Sequence, residues 1–227
     1  MKKKALLILA CAAMPLASCA ITTVGGDGES MPYTMQETRA NINKVVENGG
    51  LEVSLKYETN DGEDKSSGSV TFGAADGVYW TVDTGDKEGD AVVFDKGAGK
   101  VYGYNYYEGA WEYSYTDDLS TCGYTEDTIF YGFSAWLYLG HPYGVVSKGK
   151  GTEKIAGREC VVVEYGVAIF GASAGYTIAF DKETGATLKL KASTDSIEES
   201  TDTEFEVTSF KTSGVVAPKL PAPVDVE

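Results

Sequence analysis

The chain has 227 residues, with 34 acidic and 19 basic side chains and a formal net charge of −15. This negative charge excludes functions that need a basic surface, namely nucleic-acid binding and adhesion to anionic lipid. Hydrophobic residues make up 43% of the sequence, which is enough for one core. The 27 glycines and 15 tyrosines, with few long helical patterns, are typical of a predominantly β protein.

The first 18 residues have the pattern of a secretory signal. Three lysines precede an apolar run of about 12 residues, which is too short for the ~20 that span a bilayer. The run ends in Leu16, Ala17 and Ser18, and Cys19 follows. This order resembles the lipobox of bacterial lipoproteins. The resemblance implies cleavage before Cys19, a diacylglycerol on its sulfur and acylation of the new amino terminus. The alternative is an ordinary secretory signal that happens to contain a cysteine.

We therefore expect an extracytoplasmic protein that is anchored to a bacterial membrane by the lipid on Cys19. Because Ala20 is not aspartate, the usual sorting expectation is the outer membrane in a cell with two membranes. In a cell with one membrane, the expected location is the outer face of that membrane. No other apolar run is long enough to span a bilayer.

The rest of the chain divides into three predicted parts. Residues 19–33 contain Gly, Thr and Asp and are predicted to be a flexible tether. Residues 34–217 are predicted to form one domain. Residues 218–227 contain three prolines and are predicted to be an extended tail that cannot join the centre of a sheet.

The first half of the domain predicts one helix and then a run of hairpins. Thr34 and Glu37 have the spacing of a capping box, and the apolar positions that follow predict a helix at about 35–48. Apolar and polar residues then alternate from position 51 to about 115, which indicates an antiparallel sheet with one buried side. The acidic segments 83–90 and 117–118 are predicted to be a turn and a loop.

The middle of the domain breaks this alternation. Residues 128–140 contain Phe133, Trp136 and too few polar residues for a surface helix, so we predict a short helix buried on more than one side. Alternating strands resume at about 161 and continue to about 207.

Three stretches of the last third carry a family resemblance. Residues 155–163 resemble a family strand with the pattern G-x-x-y-v-v. Residues 176–185 resemble a strand that ends in a D-x-x-T-G hairpin, and residues 204–210 resemble a closing strand. Together with the order of helix, strand meander, middle helix and strand meander, they resemble the LolA-like superfamily. This superfamily includes lipoprotein carriers and lipid-carrying lipoproteins of the LppX/LprG type.

The resemblance implies an α+β, mainly β fold: a curved antiparallel half-barrel sheet with the N-terminal and middle helices packed in its concave side. It also implies that acyl chains bind between the sheet and the helices. We expect the cavity to be lined by Leu55, Phe72, Trp80, Tyr104, Phe133 and Trp136.

The expected function is therefore binding of a lipid, an acyl chain or an acylated protein by a monomer that acts as carrier, receiver or presenter. The chain is lipid-anchored by this interpretation, which makes free shuttling between membranes doubtful. The alternative is a non-enzymatic envelope sensor or protein-binding module with a filled core. Neither hypothesis needs a cofactor or a metal.

Two cysteines remain in the predicted domain, Cys122 and Cys160. Outside the cytoplasm such a pair can form a disulfide. The alternative is two buried free thiols that act as small apolar side chains.

Motifs that would indicate an enzyme lack their structural context. Residues 171–175 match G-x-S-x-G, but a strand is predicted after Ser173, and the sole histidine, His141, lies upstream of it. Residues 144–150 match GxxxxGK, but glycine follows where a P-loop has Ser or Thr. The acidic residues in 83–90 lack the spacing of an EF-hand. The sequence therefore predicts a protein that is not an enzyme.

Overall fold

The computed structural model describes residues 33–60, 65–85, 88–121, 135–138, 148–169, 172–195 and 200–222. In this part of the chain, eleven antiparallel strands form one curled sheet that does not close into a barrel. One α-helix, α1 (Met35–Glu47), precedes the sheet, and a 3₁₀ turn (Ala135–Tyr138) lies between its two halves in sequence. The predicted fold class, mainly β with a curved antiparallel sheet, is confirmed.

The sheet consists of two meanders that meet at its centre. Its strands run in the spatial order β6-β5-β4-β3-β2-β1-β11-β10-β9-β8-β7, so the meanders join where β1 pairs with β11. The strand bounds are β1 Leu51–Asn60, β2 Lys65–Ala75, β3 Val78–Thr84, β4 Glu88–Asp95, β5 Lys100–Tyr107, β6 Ala110–Asp118, β7 Lys148–Ile155, β8 Arg158–Ile169, β9 Ala172–Asp181, β10 Thr187–Asp195 and β11 Ser200–Lys211.

Helix α1 begins and ends as its sequence predicts. The Glu37 amide donates to the Thr34 hydroxyl at 3.2 Å, and the Thr34 amide donates to the Glu37 carboxylate at 2.8 Å, so the capping box is complete. At the other end the Gly50 amide donates to the Val46 carbonyl, with Gly50 at a φ of 87° that favours glycine. The helix places the fully buried Ile42 in the core.

The register assigns each strand residue to one of two faces, because directly paired residues of antiparallel strands lie on the same face. We call the face that carries Leu51, Val53 and Leu55 the inner face, since α1 and the 3₁₀ turn contribute to the same apolar cluster. Its other buried members include Val70, Phe72, Val161, Val163, Ile178, Leu190, Phe205 and Val207.

The opposite, outer face has a smaller apolar cluster of its own. Trp80 is buried there with Ala75 and with Val215, which follows β11. The Trp80 ring lies directly on Gly73, where a Cβ would collide with it. The segment after β11 therefore packs on the outer face before the predicted tail begins.

Two sequence predictions about the strands were wrong in detail. Asp83 and Asp90 are not in a turn but lie opposite each other in β3 and β4. Asp117 and Asp118 likewise belong to strand β6. Of the predicted middle helix at 128–140, the structure describes only the 3₁₀ turn, and the remaining residues lie outside the described part. Among the described residues, no helix combines the length and the apolar character needed to cross a bilayer.

Candidate functional site

The candidate site lies on the inner face, where an aromatic side chain from the middle segment meets the sheet. The Trp136 ring stacks on Tyr57 with 5.9 Å between ring centroids, and it meets Phe205 edge-on at 5.4 Å. Tyr57 and Phe205 are directly paired across β1 and β11, so Trp136 lies over the centre of the sheet. The next residue of the turn, Leu137, is fully buried.

An apolar surface extends from this point in both directions along the inner face. Leu55 and Phe72 are fully buried on the side of the first meander. On the side of the second meander, Tyr165 and Tyr176 are directly paired, and their rings stack at 4.7 Å. Burial, with the neighbouring Tyr176, raises the pKa of Tyr165 above its ordinary value. The inner face is therefore wide and mainly aromatic or aliphatic.

A polar group lies at the border of this surface. The Tyr57 hydroxyl donates to the Asp83 carboxylate at 3.5 Å, and Asp83 lies opposite Asp90 in the sheet. Burial, with the nearby carboxylate of Asp83, raises the pKa of Tyr57 to about 12. Burial, with the charge of Asp90, raises the pKa of Asp83. Tyr57 thus links the aromatic contact with Trp136 to a half-buried carboxylate.

The structure brings together only part of the predicted cavity lining. Leu55, Phe72 and Trp136 belong to the inner cluster. Trp80 and Tyr104 do not share that face, which corrects the expectation that all these side chains line one cavity. Trp80 pairs with Gly73, next to Phe72 in β2, and therefore points to the outer side. The register likewise places Tyr104 on the outer face, beside Tyr113.

The remaining predicted site residues cannot all be placed. Leu16, Ala17, Ser18, Cys19, Cys122 and Phe133 lie outside the described residues. Cys160 is described, and it is a fully buried free thiol whose S–H donates weakly to the Arg158 carbonyl at 3.7 Å. Burial raises the pKa of the Cys160 thiol to about 12. The disulfide between Cys122 and Cys160 stays a prediction.

Sequence reasoning missed Tyr57, Phe205, Tyr165 and Tyr176 as members of the site. Their signal was present, because each lies at an apolar position of an alternating strand. Their contacts depend on pairing between strands that are far apart in sequence, which the alternation does not specify. Among the described residues, no group of three His, Cys, Asp or Glu is arranged to hold a metal ion.

The outer face carries a second concave feature of different chemistry. A wide, open groove of about 1400 Å³ crosses seven strands from β3 to β8. Most of its side chains are polar or charged and belong to the outer face, but Tyr57, Tyr165, Tyr176 and Ala192 of the inner face also line it. Of its charged residues, Lys191 pairs with Glu204 at 2.8 Å, and Glu164 pairs at 2.5 Å with Lys150, which does not itself line the groove. The lining is therefore mixed, with polar and charged side chains of the outer face beside aromatic side chains that the groove shares with the inner-face site.

No protein-family model matches the chain, and no curated protein matches it. Solved structures do match, at low identity. The crystal structure of MucB aligns with 14% identity and a TM-score of 0.37, covering 88% of this chain and 66% of MucB. A chain of the Pseudomonas aeruginosa MucA/MucB complex aligns with 13% identity and a TM-score of 0.34, covering 83% of this chain and 58% of that one.

A putative outer membrane lipoprotein-sorting protein domain from Vibrio parahaemolyticus also aligns. Its identity is 12% and its TM-score 0.22, and the match covers 78% of this chain and 89% of that domain. At this level of identity and overlap, these similarities transfer no function to the chain.

Proposed function

We propose that this chain is an extracytoplasmic lipoprotein, anchored through Cys19, that binds an acyl chain between the inner face of its sheet and the middle segment. The observation that carries the proposal is the position of Trp136, between Tyr57 and Phe205 on the apolar side of an unclosed sheet. The proposed lining is Leu55, Phe72 and Trp136, with Phe133 as a predicted further member.

The 3₁₀ turn that covers the inner face makes a contact that a ligand could replace. The 3₁₀ turn belongs to no strand, so it can leave the sheet without breaking a strand-to-strand hydrogen bond. An acyl chain gains about 0.8 kcal/mol for each buried CH₂, or roughly 10 kcal/mol for a chain of about 14 such groups. Removing one large aromatic side chain from a core costs about 3–5 kcal/mol. For an acyl chain taken from water, this gain exceeds the cost of displacing Trp136, whereas for a chain taken from a bilayer the site only replaces the burial that the chain already had.

The anchor sets where this binding would take place. If Cys19 carries the lipid, the tether of residues 19–33 spans at most about 50 Å when extended. The domain would then remain close to its membrane and would receive or present lipid there. Cys19→Ser should move the protein from the membrane fraction to the soluble fraction. An unchanged distribution in detergent partitioning would contradict the anchor.

The direct test of ligand binding is native mass spectrometry of the mature chain with Cys19 replaced by serine, followed by solvent extraction. We expect a co-purified lipid, and we expect the delipidated chain to bind a fluorescent fatty acid. If the folded chain carries no lipid and binds no fatty acid, the core is filled, and the protein-binding alternative replaces this proposal.

A further inference from the structure

Strand β6 is an open edge of the sheet. In the part of the chain that the structure describes, it pairs with β5 alone and forms one end of the strand order. An edge strand presents a row of backbone N–H and C=O groups that another strand can use. Natural proteins usually protect such edges with lysine, proline or a bulge in the edge strand.

The two edges of this sheet differ in protection. The opposite edge, β7, contains Lys150 and Lys154, and its pairing with β8 is interrupted by a register shift between Gly149 and Gly151. Strand β6 contains neither lysine nor proline over its nine residues. The pairing of β6 with β5 shifts its register between Gly103 and Tyr104 of β5, and residues 110–113 of β6 are regularly paired. Of the two edges, only β7 carries lysines, whereas β6 has a register shift of its own and acidic side chains, and its stretch 110–113 is a part that stays regularly paired.

The two faces of β6 have different chemistry. On the outer side, Trp111 packs on Tyr106 at 5.0 Å, and Tyr113 meets Tyr104 edge-on at 6.0 Å. The Tyr113 hydroxyl is hydrogen-bonded to Thr116, so this aromatic row is held in place. Trp111 and Tyr113 belong to the edge strand itself, beside which an added strand would lie, and Tyr104 and Tyr106 belong to the neighbouring β5.

On the inner side, β6 carries carboxylates instead. Glu112 pairs with Asn105, and Asp117 pairs with the inner-face residue Val101. Both carboxylates are exposed, and neither has a salt-bridge partner among the described residues. The strand has no basic residue that would neutralise them. The inner face of this edge is therefore mainly acidic, with Tyr115 between the two carboxylates. The outer face is aromatic at Trp111 and Tyr113 and ends in Asp118, which is salt-bridged to Lys100.

We propose that β6 is a docking edge for an extended segment of a partner protein in which apolar and basic residues alternate. The segment would add to the sheet through backbone hydrogen bonds. Its apolar side chains would contact Trp111 and Tyr113, and its basic side chains would contact Glu112 and Asp117. This site is separate from the acyl-chain site, and it does not depend on that proposal.

A second copy of the chain is a poorer occupant of this edge. Two β6 strands that paired antiparallel would bring together two sets of carboxylates, and like charges across a strand pair are destabilising. The β7 strand of another copy is basic, but its register shift interrupts a regular ladder. The charge of β6 thus favours a basic segment from a different protein.

The test uses the full chain and a nine-residue peptide that alternates valine and lysine. We expect binding, which a peptide with glutamate in place of lysine should not show. Glu112→Lys combined with Asp117→Lys should reverse this preference. The lysine peptide should lose about tenfold in affinity, since two attractive surface pairs become repulsive. Glu47→Lys with Glu159→Lys makes the same change of net charge on exposed sites away from β6 and should have little effect.

Hydrogen exchange on the unmodified chain provides a second readout that needs no variant. The peptide should slow exchange at the backbone amides of residues 110–118. The proposal would be overturned if the lysine peptide did not bind, or if it slowed hydrogen exchange only at amides outside β6. It would also be overturned if both double variants lost the same affinity for that peptide. Concentration-dependent self-association that disappears in the Glu112→Lys, Asp117→Lys variant would also overturn it and assign the edge to a second copy.

Discussion

Arg158 and Asp181 form a two-pronged, nearly buried ion pair at one corner of the sheet. Arg158 Nε donates to Asp181 Oδ1 at 2.8 Å, and Arg158 Nη2 donates to Oδ2 at 2.7 Å. The side chains are 17% and 1% exposed. Asp181 also accepts from the Thr184 amide at 2.9 Å and from the Thr184 hydroxyl at 2.5 Å. The pair therefore fixes β8 to the turn between β9 and β10.

Removing one partner of this pair should destabilise the fold strongly. Arg158→Ala leaves a buried carboxylate without its cation, and breaking a buried ion pair in this way costs about 3–5 kcal/mol. The loss also removes the guanidinium from the Phe210 ring, over which it lies at 4.7 Å. We expect a lower urea midpoint for unfolding of the Cys19-substituted chain.

The control for this variant is an exposed ion pair on the same sheet. Lys191 and Glu204 are 54% and 45% exposed, and such a pair contributes about 0–1 kcal/mol. Lys191→Ala should therefore shift the midpoint much less than Arg158→Ala. If the two variants shifted the urea midpoint by similar amounts, the ion pair between Arg158 and Asp181 would contribute no more to stability than an exposed pair.

Much of the fold follows from local sequence. The capping box at Thr34 and the glycines after α1 set the helix bounds within one residue of the prediction. Alternation in the strands and the D-x-x-T-G turn at 181–185 predict the hairpins. A meander pairs neighbours in sequence, so most of the sheet order follows from the hairpins alone.

The faces of the strands could not be predicted in the same way. In β3 the apolar set Val78, Trp80 and Val82 alternates with Tyr79 and Thr81, so hydrophobicity favours the first set as the core side. The structure places Tyr79 in the inner cluster and Trp80 in the outer one. Which set of β3 side chains faces the core depends on the pairing with β2 and on Val215, which packs on Trp80 from more than a hundred residues away. The site at Tyr57 and Phe205 depends on similarly distant pairing.

The segment after β11 should contribute to stability through one side chain. Val215 is 9% exposed against Trp80, whereas its neighbour Val216 is 73% exposed. Val215→Ala removes two methyl-sized groups from this contact and should cost about 1.5 kcal/mol. Val216→Ala should change stability by less than about 0.5 kcal/mol. Urea unfolding of the two variants checks this, and equal midpoints would argue against a structural role for the segment.

The Asp83 carboxyl, which lies opposite Asp90, should make stability depend on pH. The pKa of Asp83 is raised in the folded protein, so the folded state binds this proton more tightly than the unfolded state. Its contribution to the free energy of unfolding therefore falls as pH rises above the unfolded value of about 4. Asp83→Asn removes this effect and can still accept a hydrogen bond from Tyr57.

The measurement is urea unfolding of Asp83→Asn and of the unsubstituted chain at pH 3 and pH 7. The variant should gain stability relative to the unsubstituted chain as pH increases. A constant difference between Asp83→Asn and the unsubstituted chain at the two pH values would contradict the raised pKa.

The state of Cys160 can be determined by thiol titration. Its thiol is buried and has a pKa of about 12, so it should react slowly with a thiol reagent in the folded protein at pH 8. After unfolding without reductant, the Cys19-substituted mature chain should show no thiols if Cys122 and Cys160 are bridged. Two reactive thiols would end the disulfide proposal.

The most informative variant for function is Phe133→Ala combined with Trp136→Ala. If these side chains cover an acyl-chain site, the pair should weaken fatty-acid binding more than it weakens folding. If they only fill the core, the pair should lower stability by about 3–5 kcal/mol for each aromatic removed, with no separate effect on binding. Trp111→Ala removes a tryptophan from the outer face and should leave fatty-acid affinity unchanged. Urea midpoints and the affinity for a fluorescent fatty acid, measured on the same samples, separate these outcomes. A stable chain without fatty-acid affinity before any substitution would contradict the carrier role and favour a protein-binding one.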